Sequence, residues 1–462
     1  MNIRQLLLNL PEVEGPTQKY LSFKEKLKWT GIMLVLFYIL SLVPLFGLGQ
    51  NALQRFEILS IILGASFGSI LSLGIGPLVT ASIVLQLLNG SGILKFDLTK
   101  KEDRQTFQGL QKIFGIFFVV FEAAVYVLMG GLAPPASLAG TSAYRLLELA
   151  LIAQLAIGGL LVMFMDEVVS KWGFGSGISL FIAAGVSQSV FIRALSPMPS
   201  PNNPATSTGA LPAFFQSLQA GDPTGAILLL SQIAATIIVF IMAVYMQSMK
   251  VELPLSFGRV RGQGIRWPLS FNYTSNIPVI LVSALIANVN LWAQLLQQKG
   301  YPILGTLANG VPISGIVSWL SPINIAQRIL TGGVLWSDIA KTAVYLIALI
   351  IGCVVFSYLW VQTAGMDAKS QAKQIMNSGL QIPGFRRDER VLERILDRYI
   401  APLTIMGAIA VGILAGLADI SGALTNGTGL LLTVMIIYKL YEDIARQHMM
   451  DMNPLLRRFI TT

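Results

Sequence analysis

The chain has 462 residues, of which 54% are hydrophobic and only 12% are Asp, Glu, Lys or Arg. Soluble domains carry about 25% charged residues, so the composition excludes a soluble enzyme with several hydrated domain surfaces. The single Cys353 and the single His448 also exclude an internal disulfide, a thiolate metal cluster and a multi-histidine metal site.

Long apolar intervals with few charged residues indicate where the chain crosses a membrane. A transmembrane helix needs about 20 mostly apolar residues to cross about 30 Å of hydrocarbon. Ten intervals meet or approach this length: residues 29–48, 75–88, 113–132, 144–165, 176–194, 224–247, 276–297, 339–362, 400–418 and 423–441. The predicted fold class is therefore an all-α polytopic membrane protein with ten transmembrane helices.

The distribution of basic residues predicts the orientation. With the N-terminus in the cytoplasm, the inner segments hold 26 Lys and Arg residues and the outer segments hold 6. Cytoplasmic segments of membrane proteins carry such an excess of basic residues. We expect both termini to be cytoplasmic and the net charge of +9 to lie mainly on that face.

Two further apolar intervals do not fit as spans. Residues 51–73 contain Arg55 and Glu57 near their start, and glycines interrupt the rest. Residues 301–327 are uncharged but broken by glycines and prolines, and counting them as a span would place the basic residues of 363–398 outside. We predict an apolar external loop at 301–327.

Ten spans divide into two sets of five. An odd number of spans per half gives the halves opposite orientations, which is the condition for an inverted repeat with a pathway between the halves. No convincing residue-level similarity between the halves is visible. The predicted organisation is a cytoplasmic amphipathic segment (1–28), a first five-span half (29–195), an external loop (196–223), a second five-span half (224–445) with cytoplasmic loops 248–275 and 363–398, and a cytoplasmic tail (446–462).

The two cytoplasmic loops of the second half have arginine-rich tips. The first contains Arg259 and Arg261, and the second contains Arg386 and Arg387. Ordinary orientation bias accounts for most basic loops. These two are longer than a connection between adjacent helices needs, and guanidinium groups bind phosphate oxygens in a bidentate fashion. A large polyanionic partner at the cytoplasmic face is therefore a second hypothesis.

Away from their ends, the predicted spans contain one charged residue, Glu122. Proton relays use several such groups inside the bilayer, although one acid can serve as a single coupling site. No repeat resembling an ion-selectivity filter is visible. Because neither a Walker A motif nor a catalytic constellation is found, we expect no enzymatic activity and no cofactor. A path lined by aliphatic and small polar groups suits a variable, partly apolar cargo.

Several short motifs occur at separate places along the chain. They are LGIGPLVTA at 73–81 with QLL at 86–88, FKEKL at 23–27, DE at 166–167, GSGISLFI at 175–182, NIPVI at 276–280 and GTGLLL at 427–432. Together they resemble the SecY family, whose members form the channel of the general protein translocase. The resemblance covers essentially the whole chain, and AAGVSQ at 183–188 favours the archaeal type.

The resemblance implies two inverted five-helix halves around a central pore that a ring of aliphatic side chains closes. Matched motif by motif, the ring consists of Ile75, Val79, Ile178, Ile182, Ile280 and Leu432. From the sequence alone, Ile75 and Val79 share one helix face, as do Ile178 and Ile182. Most aliphatic residues in membrane spans are plain core or lipid-facing residues. The family also implies a short plug helix within residues 51–73.

The resemblance further implies a lateral gate between spans two and three on one side and spans seven and eight on the other. Thr80, Glu122 and Asn288 match its polar cluster. The implied partners are the ribosome, docked through Arg259, Arg261, Arg386 and Arg387, two small membrane subunits of the SecE and Sec-beta types, signal sequences and nascent polypeptides, and the lipid bilayer. The implied location is the cell membrane, here an archaeal plasma membrane.

The predicted function is that of the central subunit of a protein-conducting channel. It translocates secretory polypeptides through the aliphatic ring and releases transmembrane segments through the lateral gate. One alternative is an inverted-repeat secondary transporter that uses Glu122 as its coupling acid. Another is a membrane-bound ribosome scaffold without a pore.

Overall fold

A computed structural model describes residues 11–18, 21–49, 68–90, 93–94, 96, 101–199, 206–257, 264–308, 311–330, 332–377, 380–381 and 388–452. The chain is mainly helical, as predicted, and each of the ten predicted spans overlaps one helix of 15 or more residues. These helices are α1 (Phe23–Leu42), α2 (Gly76–Gly90), α3 (Lys101–Leu128), α4 (Ser142–Trp172), α5 (Gly177–Leu195), α6 (Pro223–Ser248), α7 (Ile277–Gln298), α8 (Trp336–Thr363), α9 (Glu389–Ile420) and α10 (Gly427–Met452).

Among the described residues, seven helices are long and apolar enough to cross a membrane, and they correspond to α3 through α9. The other three have visible physical reasons for falling short. Helix α2 has only 15 residues, whereas α1 begins and α10 ends in charged residues. For these three helices, crossing the membrane stays a prediction.

The helix contacts of the first half are repeated in the second. In the first half α1 contacts α4 and α5, α3 contacts α2 and α4, and α4 contacts α5. Adding five to each number gives pairs that are also in contact in the second half: α6 with α9 and α10, α8 with α7 and α9, and α9 with α10. Among the described residues, the second half has two further contacts, those of α7 with α9 and with α10. The structure therefore has the internal repeat that two five-helix halves predict.

Two contacts between the halves join helices that are each other's equivalents. They are α2 with α7 and α5 with α10. A two-fold axis that relates the halves must pass between helices that are each other's equivalents. These four helices therefore surround the junction. The largest apolar cluster lies there and includes buried side chains from both halves. A second cluster packs α3 and α4 of the first half against α7 of the second.

Close helix packing in the first half depends on a glycine. A Cβ atom on Gly158 of α4 would lie 2.0 Å from the carbonyl oxygen of Ile70. The missing side chain lets α4 approach the segment that leads into α2. In that segment the Ile70 amide donates to the Val43 carbonyl at 3.0 Å, and the Leu45 amide donates to the Gly68 carbonyl at 2.8 Å.

The two basic loops that were predicted to be cytoplasmic contain a sheet that the sequence analysis did not predict. Strands β1 (Lys250–Phe257) and β2 (Gly264–Ser270) form an antiparallel hairpin. Strand β5 (Leu380–Gln381), from the second basic loop, pairs with the end of β1. The all-α prediction thus holds for the predicted membrane spans but misses this three-stranded sheet outside them.

Other connecting segments also contain short elements. Residues 301–330 contain strands β3 (Leu307–Ala308) and β4 (Val311–Pro312) and two short helices, Ile316–Trp319 and Ile325–Leu330. No helix of spanning length occurs among the described residues of this segment, in agreement with its prediction as a loop. The predicted loop 196–223 contains the helix Ala210–Gln219, which the sequence analysis missed.

Three predicted segments lie partly outside the described residues. Residues 51–67 of the predicted plug belong to this group, and only 68–73 of that segment are described. Residues 1–10 of the predicted amphipathic segment and 453–462 of the predicted tail are also outside it. The described part of the tail continues α10 as far as Met452.

Candidate functional site

Five of the six predicted ring side chains lie on the four helices that surround the junction, and the sixth, Ile75, lies one residue before α2. Four of them are buried, namely Ile75, Val79, Ile182 and Leu432, each with 3–5% of its surface exposed. The other two, Ile178 and Ile280, are partly buried and pack against the same apolar cluster. The structure therefore brings all six into one continuous cluster between the halves.

These side chains occupy equivalent positions in the two halves. Val79 is the fourth residue of α2, and Ile280 is the fourth residue of α7. Ile182 and Leu432 are the sixth residues of α5 and α10. The sequence analysis did not find this correspondence, because it depends on where each helix begins.

Helices α2 and α7 also share residue types at matching positions. The second residue is a proline in both helices, Pro77 and Pro278, and the seventh is a serine in both, Ser82 and Ser283. Proline suits the first turn of a helix, where its missing N–H has no intrahelical partner. The repeat between the halves therefore extends to single residues.

Ile75 lies one residue before α2 but keeps its helical relation to Val79. The Val79 amide donates to the Ile75 carbonyl at 3.1 Å. The predicted i, i+4 pairing of these two side chains is therefore present, although Ile75 is outside the helix.

A cavity of about 400 Å³ lies beside Ile178 in the first half. Its lining joins the apolar residues Leu78, Met163 and Ile178 to polar side chains of α3 and α4 such as Gln108 and Gln111. The cavity thus connects a polar surface to one member of the predicted ring.

The predicted gate residues Thr80, Glu122 and Asn288 meet where α2, α3 and α7 come together. The Asn288 amide donates to the Thr80 hydroxyl oxygen at 3.1 Å across the two halves. The Glu122 side chain, with 8% of its surface exposed, shares a hydrogen bond with the same hydroxyl. The Thr80 hydroxyl itself donates to the Gly76 carbonyl at 2.9 Å. One hydroxyl group therefore joins all three helices.

An aromatic surface lies beside these polar residues. The rings of Phe121 on α3 and Trp292 on α7 are 6.2 Å apart across the same boundary between the halves. Phe117 stacks on Phe121 at 5.8 Å. All three side chains are exposed, with Phe117 the most exposed at 57%. Sequence analysis did not select them, because aromatic residues are common on the lipid-facing side of membrane helices.

The two basic loops lie next to each other. Ser256 and Phe257 of β1 pair with Gln381 and Leu380 of β5. Tyr273, just after the hairpin, donates its hydroxyl to the Met366 carbonyl at 2.7 Å. Burial, reinforced by the nearby Asp367 carboxylate, raises the pKa of Tyr273. The hydroxyl therefore stays protonated and holds this connection over the whole neutral range.

The four predicted docking arginines, Arg259, Arg261, Arg386 and Arg387, lie outside the described residues. Strand β1, which precedes the first pair in the chain, is paired with β5, which precedes the second pair. Helix α9 begins at Glu389, earlier than the predicted span, and turns part of the second loop into helix. Arg390, Arg394 and Arg398 are exposed at intervals of four residues along this extension, so they lie on one helix face.

Comparisons with known proteins agree with this architecture. A sequence profile of the SecY family matches residues 69–441. The protein translocase subunit SecY of Methanothermobacter thermautotrophicus is 46% identical over 456 residues, which cover 98% of this chain and 96% of the relative.

Two solved structures are similar over almost the whole length. A structure of a protein-conducting channel has a TM-score of 0.82 at 43% identity and covers 97% of this chain and 98% of its own. The Sec61 channel of a canine ribosome–channel complex from the endoplasmic reticulum has a TM-score of 0.79 at 42% identity, with the same coverage. The chain belongs to the SecY family.

Proposed function

We propose that this chain is the channel-forming subunit of a protein translocase and that polypeptides pass between its halves through Ile75, Val79, Ile178, Ile182, Ile280 and Leu432. The observation that carries the proposal is the position of these side chains. They lie on the four helices at the junction or, for Ile75, one residue before α2, and belong to one apolar cluster. Family membership and the similar channel structures support the same function.

An aliphatic constriction suits a channel with a variable cargo. Hydrophobic constrictions block ions by dewetting. Aliphatic side chains also offer no fixed hydrogen bonds that would retain one polypeptide sequence over another. The cavity beside Ile178 supports a route by which a chain reaches the ring from the predicted cytoplasmic side.

The boundary between α2 and α3 on one side and α7 and α8 on the other is the proposed lateral gate. Its polar contact is the Asn288–Thr80 hydrogen bond, with Glu122 bound to the same hydroxyl. Interhelical hydrogen bonds in membranes contribute about 0.6 kcal/mol on average. Such a modest contact can open repeatedly and still influence which apolar segments enter.

The two basic loops form the proposed ribosome-docking face. The strands that precede their tips, β1 and β5, are paired, and the exposed arginines of α9 lie close to β5 in sequence. A similar channel occurs in a ribosome–channel complex. Small subunits of the SecE and Sec-beta types, cytoplasmic termini and a location in an archaeal plasma membrane complete the proposal, as the family resemblance and the excess of inner basic residues indicate.

The two alternatives find no comparable support. A secondary transporter would use Glu122 as its coupling acid, but the family assignment favours a channel. A scaffold without a pore is less well supported, because a similar solved structure is a protein-conducting channel. The proposed organisation keeps residues 29–195 and 224–445 as the two halves and residues 51–73 as the plug.

Removing ring side chains should make the resting channel leak. Replacing Ile75 and Val79 together with glycine widens the constriction and lets water enter it. We expect the ion conductance of membranes that contain the assembled channel to rise several-fold without substrate. Val35→Gly on α1, a residue with 60% exposure outside the cluster, is the control. Unchanged conductance in an assembled double variant would contradict the ring.

Weakening the polar contact that closes the proposed lateral gate should lower the hydrophobicity that a signal sequence needs to open it. Asn288→Ala removes the hydrogen bond to Thr80 and should favour the open gate by about 0.6 kcal/mol. We expect signal sequences of reduced hydrophobicity to be exported more efficiently. Ser283→Ala is the matched control, because its hydroxyl lies on the same helix, is buried and has no hydrogen-bond partner. Equal export thresholds in both variants would argue against the gate role of Asn288.

Reversing charge at the loop tips should weaken ribosome binding. In a variant with Arg386→Glu and Arg387→Glu, the slope of log affinity against log salt should become shallower by roughly 1 for each phosphate group that is no longer bound. Binding of purified ribosomes to the reconstituted channel measures both the affinity and the slope. Arg145→Glu, at an exposed position on the predicted outer side, should change neither. An unaltered affinity in the double variant would contradict the proposed ribosome contact and leave these arginines as part of the ordinary excess of basic residues on the cytoplasmic side.

A further inference from the structure

One aspartate in each half accepts hydrogen bonds from the first turn of the helix that follows. In the first half, Asp166 of α4 accepts from the backbone amide of Ile178 at 2.9 Å and also from that of Gly177. The Ser176 hydroxyl donates to the same carboxylate at 3.5 Å. Ser176, the residue just before α5, makes no capping bond with its own side chain. The start of α5 is thus capped from a neighbouring helix.

The second half repeats this arrangement between its own fourth and fifth helices, α9 and α10. Asp419 of α9 accepts from the backbone amide of Thr428 at 2.8 Å and also from that of Gly427. The Thr428 hydroxyl donates to the same carboxylate. Tyr345 of α8 adds a third element, since its hydroxyl donates to Asp419 at 2.7 Å.

Both capped helices begin with a glycine that the contact requires. A Cβ atom on Gly177 would lie 2.6 Å from the Asp166 Cα atom, and one on Gly427 would lie 1.9 Å from the Ala418 carbonyl carbon. Contacts this short involve backbone atoms, so a side chain at either position would push the two helices apart. The fourth and fifth helices of each half are therefore fixed to one another at a defined point.

This point lies at the same distance from the ring in both halves. Ile182 is five residues after Gly177, and Leu432 is five residues after Gly427. In α10, Thr428 and Leu432 are separated by one turn and share a helix face. In α5, Ile178 is bound to Asp166 through its own amide. The two carboxylates therefore fix both the depth and the rotation of the helices that supply these side chains.

We infer that Asp166 and Asp419 are positioning residues that hold α5 and α10 so that Ile178, Ile182 and Leu432 close the ring. The inference rests on the proposed pore ring. Hydrogen bonds between a carboxylate and helix N-terminal amides are among the stronger ones in proteins. Their loss lets each helix shift or rotate at its capped end, and a small rotation moves the aliphatic side chain out of the closed seal.

The test is the ion conductance of the assembled channel complex in planar bilayers without substrate. We expect Asp166→Ala and Asp419→Ala each to raise the conductance roughly tenfold or more, the scale of losing a charge-assisted hydrogen bond. Asp→Asn at either position keeps one acceptor oxygen, so a smaller leak is expected. A merely structural role would lower the yield or the thermal stability of the complex without opening a path for ions.

Each variant has a control that is close in sequence. Glu167→Gln alters the residue next to Asp166. The Glu167 carboxylate binds the Val13 amide and Lys112 rather than α5. Ser421→Ala removes a hydroxyl near Asp419 that donates only to the Ala418 carbonyl. Both should keep the resting conductance of the unaltered channel. If an alanine variant does not assemble, the asparagine variant at that position decides the result.

Ile182→Gly and Leu432→Gly separate failure of this inference from failure of the pore ring. If they leak while the assembled aspartate variants remain tight, the positioning role is wrong and the ring stands. If neither set leaks, the ring assignment itself is wrong, and the inference is overturned with it.

Discussion

Four helices, α2, α5, α7 and α10, meet where the two halves join, and their packing must seal a path that nevertheless opens to polypeptides. A permanent polar lining would hold particular sequences, and a loose apolar lining would admit ions. The proposed ring would meet both demands, because its aliphatic side chains are gathered into one cluster between the halves. Polar groups stay at the edge of this cluster, where Asn288 contacts Thr80.

The internal repeat explains how such a seal is built from a single chain. The helix contacts of one half recur in the other, and Val79 and Ile280 occupy the same position in their helices, as do Ile182 and Leu432. In an inverted repeat, equivalent residues approach the junction from opposite faces of the membrane. Equivalent side chains of the two halves are then expected to lie close together at the centre of the junction.

The helices could be predicted from the sequence because the bilayer demands a long apolar segment with few charged residues. Helices α3 through α9 fulfil that demand, and the predicted ring and gate residues come together in the fold. The residue-level repeat could not be predicted, because it appears only when Pro77 and Pro278 are counted from the starts of their helices. The pairing of β1 with β5 was missed for a similar reason, since it joins residues that lie far apart in the chain.

The roles of Asp166 and Asp419 were equally hidden, because each binds a helix that begins several residues later. In the sequence, Asp166 belongs to a recognised motif, but nothing there says which amides it contacts. Sequence patterns predict faces and periods within one helix. Contacts between helices depend on where glycines permit close approach, and that is a property of the packed structure.

The most direct test of the proposed path is crosslinking from single sites to a polypeptide stalled during translocation. A photoreactive residue at Val79 or at Ile178 should form adducts with the stalled chain. The same residue at Val35, which is exposed on α1 outside the cluster, should form none. Absence of adducts from both Val79 and Ile178, while the stalled chain spans the membrane, would contradict the account.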